Sequence, residues 1–277
     1  MADLRHAFGS SLKPPVAVWR SAEAAGSMAA VPHCLFAALP EIEAGGTVSF
    51  TLSNLHCGGG RLYCGFAPRN PGVARFVSER ERYKQTPAMV DEYIDSLGIR
   101  PAEQPCLNMA RIDRIGSFDG IDGVFFLAEP DALSGLCAWA FFDNNSPDAV
   151  SCLFGSGCSS LITNIVGENE RRGRRTFIGM VDISASTYVA PGELGFAIPM
   201  YRLAEMAATL RECCLWDAPA WSRLRERSLR PKRPAPPAGS AGVGLPRSEL
   251  GQSCCCLVGQ HVGNLAVAHC RATRFGT

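Results

Sequence analysis

Ala149-Val150-Ser151-Cys152-Leu153-Phe154-Gly155-Ser156-Gly157-Cys158-Ser159-Ser160 reads as a strand that enters a glycine turn and leaves it as a helix. The apolar, β-branched residues before the turn predict the strand. Gly155 and Gly157 allow a tight turn and a close approach of backbone to ligand. Ser159 or Ser160 can cap the helix that begins there. An earlier stretch has the same order. Residues 47–52 alternate like a strand and lead into Leu55-His56-Cys57-Gly58-Gly59-Gly60, with a short helix expected over 61–66.

Working outward, each turn has a strand and a helix in front of it. Pro14-Pro15 introduces a strand at 16–19. A helix over 32–44 then carries Cys34 and stops at Gly45-Gly46. In the second half a strand at 122–128 precedes a helix over 130–142 that carries Cys137. Further strands are predicted at 108–112, 177–182 and 194–198, and further helices at 78–97, 201–215 and 221–230. Two rounds of strand, helix, strand and glycine turn predict an α/β fold, with α+β as the alternative. The expected form is a single domain over residues 1–228 whose internal sheet is flanked by helices. It also carries the expectation of a pseudo-two-fold βαβ-type internal repeat that brings both turns to one cleft.

Composition sets the class. Of 277 residues, 47% are hydrophobic and 19% charged, enough for a sizeable core. A net charge of +1 argues against a surface devoted to nucleic acid or to an anionic membrane. The longest apolar runs, such as 136–142, fall short of the roughly 20 residues a membrane helix needs. The opening Met1-Ala2-Asp3-Leu4-Arg5-His6 is polar and mixed. A cytoplasmic protein with reduced thiols is therefore expected, despite 13 cysteines. Arg230-Pro231-Lys232-Arg233-Pro234 opens a proline-rich linker. Beyond it, Cys254-Cys255-Cys256, His261, His269 and Cys270 fit no zinc spacing, and residues 229–277 are expected to be a disordered tail.

The strings that recur in order are uncommon ones. They are Pro15-Val16-Ala17-Val18, Cys34, Cys57-Gly58-Gly59-Gly60 with Gly65-Phe66, and Val124 to Phe126 with Pro130-Asp131-Ala132-Leu133-Ser134. Phe154-Gly155-Ser156-Gly157-Cys158, Ile178-Gly179-Met180-Val181-Asp182, residues 194–199 and Met206 follow. Over roughly residues 10–228 the chain resembles the bacterial and archaeal family catalogued as domain of unknown function 169. The resemblance implies a single α/β-type domain and no established activity. It also implies an arginine shortly after Asp182, whereas Ser184-Ala185-Ser186-Thr187 contains none.

Three readings of the site follow. In the first, Cys34, Cys57 and Cys158 converge as three thiolates with an open fourth position, holding an iron–sulfur cluster or zinc. In the second, Gly58, Gly59, Gly60, Gly155, Ser156, Gly157 and Ser159 cradle a small anion or nucleotide-like ligand at helix starts, and the cysteines only pack. In the third, Cys158 is a nucleophile with His56 as its base. The second turn is not a phosphate-binding P-loop, because no Lys-Ser/Thr follows, and its Gly-Ser-Gly-Cys order is not a nucleophile elbow. All three readings place a small molecule or cofactor at the turns. Glu129, Asp131 and Asp182 are carboxylates available for proton transfer, with Asp131 more at home as a helix-start acid. Residues 168–175, with Arg171, Arg172, Arg174 and Arg175, read as a solvated charged loop.

Overall fold

The computed structural model describes residues 2–31, 34–153 and 155–228. Seven strands form one mixed sheet: β1 (Val16–Ser21), β2 (Thr47–Phe50), β3 (Cys106–Arg111), β4 (Ile121–Ala128), β5 (Val150–Ser151), β6 (Thr176–Gly179) and β7 (Leu194–Pro199). Their spatial order is β2-β3-β1-β4-β7-β6-β5. Every pairing is antiparallel except β5 with β6.

The centre of the sheet is the antiparallel pair β1 and β4, with Ala17 opposite Val124. All eight residues of β4 are buried, because alternate side chains enter different cores. Val16, Val18, Phe125 and Leu127 face one core; Ala17, Val124, Phe126 and Ala128 face the other.

Among the described residues ten helices surround the sheet: α1 (Ala2–Phe8), α2 (Leu39–Glu43), α3 (Gly58–Tyr63), α4 (Val73–Arg75), α5 (Pro87–Ser96), α6 (Pro130–Phe142), α7 (Asn164–Glu170), α8 (Ile183–Ser186), α9 (Met200–Thr209) and α10 (Pro219–Ser228). Residues of α2 and α7 pack in the first core, while α1, α6, α9 and α10 pack in the second. Pro40 and Pro130 both stand in the first turn of their helices, where no backbone donor is needed. No helix among the described residues is long and apolar enough to cross a membrane.

The two units expected to repeat differ in the sheet. The first runs β1, α2 and β2, with β3 inserted between its two strands, whereas the second runs β4, α6 and β5, with both β7 and β6 inserted. A two-fold axis normal to the sheet keeps each face on its own side. Here the two connecting helices, α2 and α6, occupy opposite faces. In addition, β5, the counterpart of β2, pairs parallel with β6 at the sheet edge, whereas β2 pairs antiparallel with β3.

The helix expected over 32–44 is only a 3-10 turn at Leu35–Ala38 followed by α2, so Cys34 lies just ahead of it in extended backbone. The helix expected over 78–97 divides into a π-helical turn at Phe76–Arg80 and α5. Phe154 and residues 229–277, including the cysteine and histidine cluster of the tail, lie outside the described residues.

Candidate functional site

Both glycine segments open onto one cavity of about 580 Å³. Gly58-Gly59-Gly60 forms the first turn of α3 rather than a loop, and Cys57 is its cap, with the Gly60 N–H donating to Cys57 Sγ at 3.3 Å. At the second segment the Ser159 N–H donates to Ser156 Oγ at 3.1 Å. The chain then continues through a π-helical turn, Ser159–Thr163, into α7.

The two glycines of the second segment are required by their neighbours. A Cβ on Gly155 would stand 1.7 Å from the Tyr93 hydroxyl, and one on Gly157 would stand 2.7 Å from the Phe36 ring. Phe36 is fully buried and meets Phe125 of the sheet edge-on. The segment from Cys34 to Phe36 is thus pressed directly against the start of the helix that carries Cys158.

Cys34, Cys57 and Cys158 all line the cavity. The neighbouring Cys158 thiol, with the Phe36 N–H, holds the Cys34 pKa below the ordinary thiol value. Cys34 in turn, together with burial, holds Cys158 well above it. Cys64, which the sequence reading did not single out, lies near Cys57 and Cys34, and burial pushes its thiol up to about 12.

The rest of the cavity is an aromatic and aliphatic wall. It includes Tyr63, Phe76, Val77, Tyr83, Tyr93 and Tyr188. Tyr93 reaches across from α5 to the π-helical turn, its hydroxyl 2.8 Å from Ser159 Oγ. Burial raises the Tyr63 and Tyr93 pKa values, so both phenols stay protonated. Glu81 and Asp182 bring two carboxylates to this wall and Lys84 one ammonium. Burial first, and then the charge of Asp182, raises the Glu81 pKa.

Asp182 reaches the wall through an unusual piece of backbone. Met180, just past the end of β6, has φ +61°, a left-handed conformation that is costly for a long side chain. Its sulfur packs under Gly157, 2.9 Å from where a Cβ would be. Asp182 then caps α8 by accepting from the Ser184 N–H at 2.9 Å.

Other sequence candidates lie elsewhere. His56 is exposed and does not line the cavity, so it is not brought to Cys158 as a base. Cys137 packs in the core of the opposite face. Asp131 pairs with Arg227 at the start of α6. Residues 168–175 are an ion-pair network, in which Arg171 and Arg175 both hold the buried Glu168. Arg174 pairs with Asp143 and Glu205.

The thiols of Cys34, Cys57 and Cys158 share one cavity, yet among the described residues no group of three His, Cys, Asp or Glu side chains is placed to hold a metal ion.

A family model described as DUF169, Uncharacterised ArCR, matches residues 11–209, most of the chain and every element that lines the cavity. The chain belongs to this family. Comparison with curated proteins and with solved structures finds no match. The DUF169 model stops at the end of α9, so α10 lies beyond the matched segment.

Proposed function

We propose that this DUF169 protein binds a small, ring-bearing, neutral or singly charged molecule in the cavity, with thiols at its floor. One observation carries the reading: both glycine segments and Cys34, Cys57 and Cys158 line a single cavity of about 580 Å³ walled by tyrosines. That volume is within the range of small-molecule sites, which combine apolar walls with a few convergent polar groups.

The charge on the wall narrows the ligand. Two carboxylates, Glu81 and Asp182, against one ammonium, Lys84, disfavour a polyphosphate. The helix starts are also partly spent. The Gly60 N–H is taken by Cys57 and the Ser159 N–H by Ser156, which removes donors an anion would need.

The test uses the reduced full-length chain. Thermal unfolding is followed with a panel of neutral heterocyclic compounds and, separately, with inorganic pyrophosphate. A ligand at a hundred times its Kd adds about 2.7 kcal/mol, visible as a rise in Tm. A rise with heterocycles alone supports the reading, and a rise with pyrophosphate alone replaces it with the anion cradle. Anaerobic purification supplies the third arm. Broad absorbance near ~400 nm with iron and sulfide in proportion, lost in Cys57→Ser and Cys158→Ser, would assign the three cysteines to an iron–sulfur cluster instead.

A further inference from the structure

Three carboxylates are buried among the described residues: Asp122, Glu168 and Asp182. Burying a charge is costly unless an opposite charge goes with it. Two of the three follow that rule. Arg20 holds Asp122, while Arg171 and Arg175 hold Glu168. Asp182 is 6% exposed and forms no ion pair among the described residues. Its side-chain hydrogen bonds come from Ser184, whose N–H and hydroxyl both donate to Oδ1 at 2.9 Å. No described residue donates to Oδ2, and the carboxylate lines the cavity. The placement is also costly in backbone, because Met180, two residues ahead, holds φ +61°.

We propose that Asp182 anchors a positively charged nitrogen of the ligand, so that the cavity takes ring-bearing monocations: protonated or quaternary amines that carry an aromatic or heterocyclic ring. The proposal rests on the binding role given to the cavity above and fixes the sign of the ligand's charge. The surroundings of Asp182 suit such a group. Tyr63, Phe76, Tyr93 and Tyr188 line the same cavity, and aromatic faces attract cations. Tyr93 already does so, with Lys84 Nζ 5.3 Å from its ring centre. Glu81 brings a second carboxylate to the wall, and a cation in the cavity relieves its repulsion from Asp182. Glu81 and Asp182 against Lys84 leave one negative charge over, which a ligand with a single positive charge balances. The ring then packs on the apolar wall while its nitrogen reaches Oδ2, a charge-assisted contact in a largely dry site.

The experiment uses isothermal titration calorimetry on the reduced full-length chain, with three probes that share one ring and differ in charge: benzylammonium, benzyl alcohol and benzoate. Benzylammonium is expected to bind at least about tenfold tighter than benzyl alcohol, with benzoate weakest. Asp182→Asn keeps an oxygen to accept from Ser184 and removes the charge. It should cut the benzylammonium affinity about tenfold and leave that of benzyl alcohol unchanged. Its ligand-free Tm should not fall, because no cation loses a partner, whereas Glu168→Gln should melt lower. Benzyl alcohol or benzoate binding as tightly as benzylammonium to the wild type overturns the proposal, and that result needs no variant to fold. Equal weakening of benzylammonium and benzyl alcohol in Asp182→Asn also overturns it, as does a lower Tm with the benzylammonium affinity unchanged. The heterocycle panel separates the two readings. Neutral heterocycles that raise Tm while benzylammonium fails to bind remove only the cation anchor. No shift with any heterocycle and no binding of any probe removes the site itself.

Discussion

Gly179 of β6 and Gly195 of β7 stand directly opposite each other in the sheet, and Leu161 lies over both. A Cβ on Gly195 would be 2.7 Å from a Leu161 methyl, and one on Gly179 would be 2.5 Å from Ser160 Oγ. The bare patch of sheet is what allows the π-helical turn after Cys158 to settle onto the strands. Gly195→Ala is expected to cost about 1–3 kcal/mol by overpacking. Thermal unfolding measures the loss, and alkylation by iodoacetamide shows whether lifting the turn exposes Cys158.

Tyr93 and Ser159 tie the wall to the floor through one hydrogen bond of 2.8 Å. Tyr93→Phe removes it and leaves the ring. A loss of about 0.5–1.5 kcal/mol is expected. Hydrogen exchange should show it as faster opening at residues 87–96, with the sheet unchanged. Equal acceleration in β4 would mean that the wall and the sheet open together.

Trp221 of α10 is buried, donates from Nε1 to the Ala7 carbonyl at 2.6 Å and meets Phe8 edge-on. It fits against α6 because residue 135 is glycine, where a Cβ would be 2.3 Å from its ring. The fold therefore continues past residue 209, where the family match ends. Trp221→Ala is expected to destabilise by about 3–5 kcal/mol in denaturant titration. A change under ~1 kcal/mol would make α10 an appendage.

Arg202 is fully buried and is held by Asp143, Glu205 and the Ala140 carbonyl. The hydrogen bond from Arg202 lowers the Asp143 pKa below its ordinary value of 3.8. A carboxylate with a depressed folded-state pKa stabilises above its unfolded pKa, and that contribution fades as pH falls through the folded value. Stability from this pair is thus complete at neutral pH and lost on acidification below about pH 4. Asp143→Asn should flatten this part of the acid limb. Arg202→Met, which leaves Asp143 and Glu205 to Arg174 alone, is expected to cost about 1.5–3 kcal/mol at pH 7.

Much of the sheet was legible because β1, β4 and β7 are short runs rich in apolar, β-branched and aromatic residues. The pairing was not. Strand order and direction depend on contacts between segments far apart in the chain, and so β5, expected over 149–154, pairs for only Val150 and Ser151. The convergence of Cys57 and Cys158 was legible from glycine placement, and Cys34 joined them through the family resemblance. The wall was not, since Tyr63, Tyr83, Tyr93 and Tyr188 follow no spacing and meet only in the folded chain. Cys64 escaped for the same reason. A cysteine just past the end of a short helix carries no signal until its neighbours are known.

The floor and the wall of the cavity rest on different foundations. Cys158 shares its cluster with Val18, Phe125 and Ala197, whereas Val73, Val77, Val90 and Tyr93 belong to a small cluster of their own. A change of volume at the floor is felt by the sheet, while a change in the wall is absorbed locally. Descendants of this chain can therefore reshape the wall by rebuilding residues 73–93 alone, whereas Cys158 and its neighbours change only in concert with the sheet.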